Sequence, residues 1–206
     1  MNSKLDNRIA AVLAEMENRL TRVRAGLDIG FADATVSRLF REARGGVWMT
    51  VENGVHLRGL TAGQLDPKTV LQLGDDCELP FEDNQFEVVL LSTAMLLQHP
   101  ARVAKLVREI HRVLQGGGCL IFAVEEASSG TSGYSQRSIY ELLRDGFDVV
   151  GLKRPPWWKF GTAGRLMTVC ARRKNWRNRG NSIVGASMPV SAAMLSPRDR
   201  PGRGQA

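Results

Sequence analysis

The chain has 206 residues, enough to bury a core in one domain with an appendage. Hydrophobic residues make up 43% and charged residues 24%, an ordinary balance for a soluble globular protein. The formal net charge is +7, yet residues 172–206 hold eight Arg and Lys against one acid, Asp199, which leaves twenty residues of each sign elsewhere. The basicity is a property of the tail, which argues against a body built as a basic nucleic-acid-binding domain.

Cys77, Cys119 and Cys170 are an odd number without CxxC spacing, which argues against a disulfide framework and against a zinc site. No metal is expected, and a reducing cytoplasm is the natural compartment. Lys4, Asp6 and Arg8 interrupt any apolar signal core at the N-terminus. No run approaches the ~20 apolar residues that span a bilayer.

Taken in order, residues 4–24 predict one amphipathic helix, with Leu5, Ile9, Val12, Leu13, Met16, Leu20 and Val23 on one face. It covers an edge or face of the core, or else serves as a lid or dimer contact. Gly26–Gly30 reads as the first strand and its exit turn. A helix follows from Asp33 or Ala34 and stops at Gly45-Gly46. Val47–Val51 is the second strand, ending at Glu52-Asn53-Gly54, and Leu60–Leu65 is a short helical piece. Val70–Leu73 and Phe86–Leu91 are the third and fourth strands. Ala101–Leu114 has the clearest helical stripe, with Arg102, Lys105, Arg108, Glu109 and Arg112 on its wet face. Gln115–Gly118 predicts its C-cap and turn. Cys119–Val124 is the fifth strand, Ser135–Arg144 a helix, Phe147–Leu152 the sixth strand and Leu166–Ala171 the last. Residues 127–133 form a small-residue loop, and the tail beyond Lys174 has the composition of a disordered segment.

Strands alternating with helices imply parallel βαβ units and a three-layer α/β sandwich. A Pro-Trp-rich, non-helical link joins the last two of the seven strands, so one antiparallel strand is expected at an edge. The division is a helix at 1–24, the α/β domain at 25–173 and a basic tail at 174–206.

In an open parallel sheet, ligands bind at the carboxyl ends of the strands. Those ends here are Asp28–Gly30, Glu52-Asn53, Asp75–Cys77, Ser92-Thr93 and Glu125-Glu126. A carboxylate after the second strand can accept from both hydroxyls of a ribose; its plain alternative is a cap or a solvated acid. At Asp75-Asp76 a carboxylate and the next backbone N–H can read an adenine edge; the plain alternative for Asp75 is an Asx-turn.

Gly74–Phe81 with the strand that follows, and Arg108–Gly118, resemble the class I S-adenosylmethionine-dependent methyltransferases of the small-molecule type. That family carries G-D-A-x-x-L-P-F, an F-D-V-V strand and E-I-x-R-V-L-K-P-G-G. The likeness covers roughly residues 25–125. It implies a Rossmann-like, mostly parallel seven-stranded sheet and S-adenosyl-L-methionine as cofactor. It further implies that Asp75 faces the adenine amine, that Asp76 supplies a backbone N–H and that Leu79 lines the adenine pocket. Glu52, with Asn53 beside it, would hold the ribose, and Ser92 would lie near the methionine moiety. Asp28, Gly30 and Ala32 belong to the family's D-x-G-x-G-x-G turn, where Ala32 and Ala34 replace two of three glycines.

Methyl transfer needs alignment more than a dedicated base, since it is an in-line displacement at carbon. Base candidates are His99, Glu125, Glu126 and Tyr134, with a capping or surface role as the plain reading of His99; His56 and His111 read as structural or solvated. Trp157-Trp158, among Lys153, Arg154 and Lys159, is either an aromatic plug at the sheet edge or a surface for a substrate or lipid headgroup. The expected partner is a small-molecule acceptor, and the tail allows a weak, salt-sensitive nucleic-acid contact. Competing functions are a non-catalytic, regulatory binding module with the same fold and an RNA-associated methyltransferase guided by the tail. A dehydrogenase fits poorly, because Gly30–Ala34 lacks G-x-G-x-x-G spacing.

Overall fold

A computed structural model describes residues 22–30, 41–42, 45–53, 70–127, 133–153 and 166–175. The strands are β1 (Ala25–Ile29), β2 (Val47–Asn53), β3 (Val70–Leu73), β4 (Phe86–Leu91), β5 (Leu114–Glu125), β6 (Phe147–Lys153) and β7 (Leu166–Arg173). The helices with described bounds are α1 (Thr93–Leu96), α2 (Pro100–Val113) and α3 (Gln136–Leu143). The helix expected to end near Gly45 is described only at Arg41 and Glu42, both helical. The expected N-terminal helix up to residue 21, residues 60–65, most of the 127–133 loop and Trp157-Trp158 lie outside the described residues. The chain divides into two compact units, Met1–Asn175 and Trp176–Ala206, the second wholly outside the described residues.

The seven strands form one sheet in the order β3-β2-β1-β4-β5-β7-β6. Pairs β1–β2, β1–β4, β2–β3 and β4–β5 are parallel, and β7 is antiparallel to both β5 and β6. The fold is therefore the mostly parallel, Rossmann-like α/β sandwich. The antiparallel strand stands one place in from the edge, which β6 occupies. The reason is the crossover through α3, which lands β6 one position out; the chain then turns back and fills the gap with β7.

β4 shows why a buried central strand has an apolar run: five of its six side chains are buried and the sixth, Glu87, is half-buried. Glu87 accepts from Arg24 N at 2.8 Å and Arg24 Nε at 2.6 Å. On α2, Val103, Leu106, Val107, Ile110 and Val113 step by three and four and are all buried. A fully buried side chain such as Ile110 contributes about 1.5–3 kcal/mol over an exposed one. The predicted C-cap at Gln115–Gly118 is instead part of β5. Phe86 pairs with Leu114 and Val88 with Cys119, so these residues stand opposite Glu87 alone, as a bulge. Gly117, with φ +80, takes the conformation this bulge needs.

Two apolar clusters cover the two faces of the sheet. Leu27, Ile29, Val51, Val89 and Leu91 join the stripe of α2 on one face, and Trp48, Val88, Leu90, Ile121 and Cys170 lie on the other.

His111 packs edge-on against Phe147, with ring centroids 5.5 Å apart. Burial lowers its pKa below the usual histidine range, and the charge of Arg173 lowers it further. The folded protein thus binds the His111 proton less tightly than the unfolded chain. Its stability contribution is fully present above about pH 6.5 and is lost as the pH falls below it. The thermal midpoint is expected to drop between about pH 7.5 and about pH 5.5, and His111→Gln should shrink that drop. An equal drop in the variant would clear His111 of the effect.

Candidate functional site

β1 and β4 are neighbours, but the chain leaves β1 towards β2 and leaves β4 towards β5. A crevice at the carboxyl ends of these strands is the topological switch point of the sheet. Two ladder bonds run one residue past the strands: Gly30 N donates to Val51 O and Ser92 N donates to Ile29 O, each at 2.9 Å. They bring Gly30 beside Ser92. Gly30 has φ +78, and a Cβ there would lie 2.5 Å from Met95 Cγ and 2.6 Å from Ser92 Oγ.

Met95 belongs to α1, a helix that sequence periodicity did not reveal. Ser92 is its N-cap, yet the Ser92 side chain makes no capping bond. Its hydroxyl is buried and has no partner among the described residues. Such a group costs about 1–3 kcal/mol when left unpaired, so this cradle suits a polar ligand atom.

Asp28 and Glu52 are fully buried. Asp28 stands opposite Thr50 and Leu90, and Glu52 opposite Gln72. Alternation puts Asp28, Thr50, Glu52 and Ser92 on one face of the sheet. The buried polar side chains among the described residues are Asp28, Thr50, Glu52, Ser92, Thr93 and Thr168. Thr168 pairs with Ala123, so the antiparallel course of β7 brings it to the same end of the sheet. Thr93 Oγ1 donates to Ala123 O at 2.6 Å and ties α1 to β5. Burying polar groups is costly, and their gathering at one end of the sheet marks a site rather than a core. Thr50 and Thr168 had no motif to announce them. Asn53 closes β2, while its side chain and the whole of Ala32 lie outside the described residues.

The turn after β3 is closed by Cys77 N, which donates to Gly74 O at 3.2 Å. Asp76 Oδ1 accepts from Glu78 N at 3.2 Å, so Asp76, and not Asp75, makes the Asx-type bond. The Asp75 carboxylate projects into solvent, 3.9 Å from Arg102 Nη1. Cys77 has φ +62 although its side chain is fully buried. A non-glycine residue held there costs about 1–2 kcal/mol and persists only where its surroundings enforce it.

The residues just after the turn are held by α2. Leu79, buried in the main cluster, donates its N–H to Glu109 Oε2 at 3.0 Å. Arg112 Nη2 donates to Leu79 O at 2.8 Å and to Glu109 Oε2 at 2.7 Å. Arg112 Nη1 donates to Phe81 O at 2.7 Å and to Asp83 Oδ1 at 3.0 Å. The Arg112 guanidinium, opposed by burial and helped by the Leu79 N–H, holds the Glu109 carboxyl below its usual range. By sequence both side chains sat on the wet face of α2; their i,i+3 spacing inside E-I-x-R was the available signal.

Of the base candidates, His99 and Tyr134 take structural posts. His99 is the N-cap of α2, its Nδ1 accepting from Ala101 N at 3.3 Å. Tyr134 donates its hydroxyl to Leu96 O at 2.6 Å, and burial raises its pKa, so it stays a neutral donor. Glu125 O accepts from Tyr134 N at 2.9 Å, and Glu126 forms a parallel bridge with Tyr134. Glu125 and Glu126 are half-buried at the end of β5. A cleft of about 790 Å³ lies elsewhere, between α3 and β6, where Tyr140, Arg144, Val149 and Lys174 line it without any of the buried polar residues of the strand ends. Among the described residues no group of three His, Cys, Asp or Glu could hold a metal ion. Among them, too, no helix is long and apolar enough to cross a membrane.

Residues 27–122 match the family model described as a methyltransferase domain. Curated protein sequences gave no match. Among solved structures, the chain is similar to the Burkholderia thailandensis 1,6-didemethyltoxoflavin-N1-methyltransferase with bound 1,6-didemethyltoxoflavin and S-adenosylhomocysteine. The identity is 20% and the TM-score 0.64, over 81% of this chain and 78% of that one. It is also similar to a SAM-dependent methyltransferase from Aquifex aeolicus, at 18% identity and TM-score 0.61, over 84% and 93% of the two chains. A third likeness is to a structure of the Haloferax volcanii Trm112 methyltransferase activator in complex with a methyltransferase. There the identity is 16% and the TM-score 0.63, over 84% and 92%. At these identities the structural likeness shows the fold.

Proposed function

The domain at residues 27–122 belongs to the class I S-adenosylmethionine-dependent methyltransferases, and on that premise we propose that the chain transfers a methyl group from this cofactor to a small-molecule acceptor. The observation that carries the reading is the convergence of Asp28, Gly30, Glu52 and Ser92 at the carboxyl ends of adjacent strands, with the Asp75 turn beside them.

The residues fit the cofactor chemically. The Gly30 cradle leaves no room for a Cβ, and the Ser92 hydroxyl there lacks a protein partner among the described residues. Two buried carboxylates suit a ligand that carries positive charge and hydroxyl donors. Glu52 would hold the two ribose hydroxyls. Asp75 would accept from the adenine amine, and the Asp76 N–H would donate to a ring nitrogen. Leu79 supports that pocket from the core side. Asp28, the Gly30 backbone and Ser92 hold the amino-acid end. Asn53 and Ala32 are assigned to the ribose and amino-acid ends from their place in the sequence motif alone.

When bound, the cofactor supplies an activated methyl group on a sulfonium. The protein's task is to hold the acceptor in line with that carbon and to exclude water. The acceptor's lone pair would displace the sulfur at that carbon, so the residues that hold the acceptor must present it opposite the carbon–sulfur bond. A proton on the acceptor leaves to solvent or to a carboxylate such as Glu125 or Glu126. His99 and Tyr134 serve the fold.

The alanines at 32 and 34 favour a second reading, a binding module that retains the cofactor without turnover. Calorimetry of the full chain with S-adenosylmethionine is expected to show saturable binding, with a dissociation constant of about 1 μM to 1 mM. No binding at millimolar cofactor would sink the enzyme reading. Binding without label transfer to any of a panel of small nucleophiles would favour the module.

A further inference from the structure

We propose that Glu109 and Arg112 are positioning residues for the adenine end of the site, a role that rests on the function proposed above. Residues 79–84 have no regular secondary structure, yet α2 grips them through backbone groups. The Arg112 fork takes the carbonyls of Leu79 and Phe81, Glu109 takes the Leu79 N–H, and Arg112 O accepts from Asn84 N at 3.0 Å. Leu79 O also accepts from Phe81 N at 2.8 Å, which bends the segment on itself. Two residues upstream sits Cys77, in its left-handed conformation.

The chain between Cys77 and Leu79 is a single residue, so a displacement of Leu79 passes directly to the turn. That turn sets where the Asp75 carboxylate and the Asp76 N–H stand. Discrimination at the purine edge is therefore governed from α2, by residues that make no contact with the ligand. Arginine is required because a planar fork meets two carbonyls and two carboxylates at once; a lysine is one point charge with tetrahedral donors.

The test compares the full chain with Arg112→Lys and Arg112→Met, below the unfolding range of all three. Without ligand, the amides of Cys77, Leu79 and Phe81 are expected to exchange about tenfold faster in both variants, while Val89 and Leu90 keep their wild-type rates. Calorimetry then uses S-adenosylhomocysteine and its inosine counterpart, which presents an oxygen acceptor where adenine has the amine. The preference for adenine is expected to shrink about tenfold in both variants, a loss of the order of one charge-assisted bond. Equal weakening toward both ligands would reduce Arg112 to a structural role and overturn the proposal, as would full rescue by lysine or unchanged exchange at Cys77 and Leu79. If the wild type binds neither ligand, the proposed function falls, and with it the cofactor role; the exchange rates still report on the clamp by themselves.

Discussion

Gly30→Ala is expected to remove measurable cofactor binding and to lower the thermal midpoint by about 9 °C. Two costs add. An alanine held at φ +78 is strained by about 1–2 kcal/mol. Its Cβ would also meet Met95 Cγ at 2.5 Å and Ser92 Oγ at 2.6 Å. A methionine side chain could yield if it had somewhere to go, but Met95 is 2% exposed and packed in the main cluster. Overpacking of that kind costs about 1–3 kcal/mol. The sum is roughly 3 kcal/mol, and for a chain of this size each kcal/mol shifts the midpoint by about 2–4 °C. Binding fails for a separate reason: the added carbon occupies the cradle between Gly30 and Ser92. Thermal melts and calorimetry on the same preparation separate the two effects. A variant that melts like the wild type and binds the cofactor equally well would show that neither the conformation nor the cradle at Gly30 matters.

Parts of this architecture are legible in sequence because their causes are local. Phe86–Leu91 reads as a central strand since both of its faces are buried, and α2 reads as a helix since its stripe repeats over fourteen residues. α1 does not, because four residues are too few to show a period. Asp75 and Asp76 are chemically identical neighbours. Which one accepts from the Glu78 N–H is set by the turn around Cys77, whose side chain is buried among residues distant in sequence. Glu109 and Arg112 look like solvated charges because their partners are the N–H of Leu79 and the carbonyls of Leu79 and Phe81, about thirty residues away. Backbone acceptors leave no letter in a sequence. The hairpin β6–β7 was likewise foreseeable, whereas the insertion of β7 between β5 and β6 depends on where the α3 crossover lands. Gly30 stands in a motif whose other glycines are alanines. Its retention is explained by a positive φ and by two close neighbours, neither of which the motif itself records.

Glu52→Ala is expected to weaken S-adenosylhomocysteine binding by about 10²–10³-fold, and Glu52→Gln by about 10-fold or more. Glu52 is fully buried at the end of β2, in register with Gln72 and one strand away from Gly30. A carboxylate there can accept from both vicinal hydroxyls at once, each through a charge-assisted bond of about 1.5–3 kcal/mol. Glutamine offers one acceptor oxygen and an amide that donates, so one hydroxyl is left facing a donor. Affinity alone does not establish the pairing, since replacing any buried carboxylate could disturb the site. A cycle with the ligand's own 2′-hydroxyl does. In the wild type, the 2′-deoxy form of S-adenosylhomocysteine should bind at least 10-fold more weakly than the parent compound. In Glu52→Ala that difference should vanish, because the hydroxyl no longer has a partner to lose. If the 2′-deoxy penalty persists undiminished in the variant, Glu52 does not hold the ribose, and the carboxylate acts on the site only through the packing of β2.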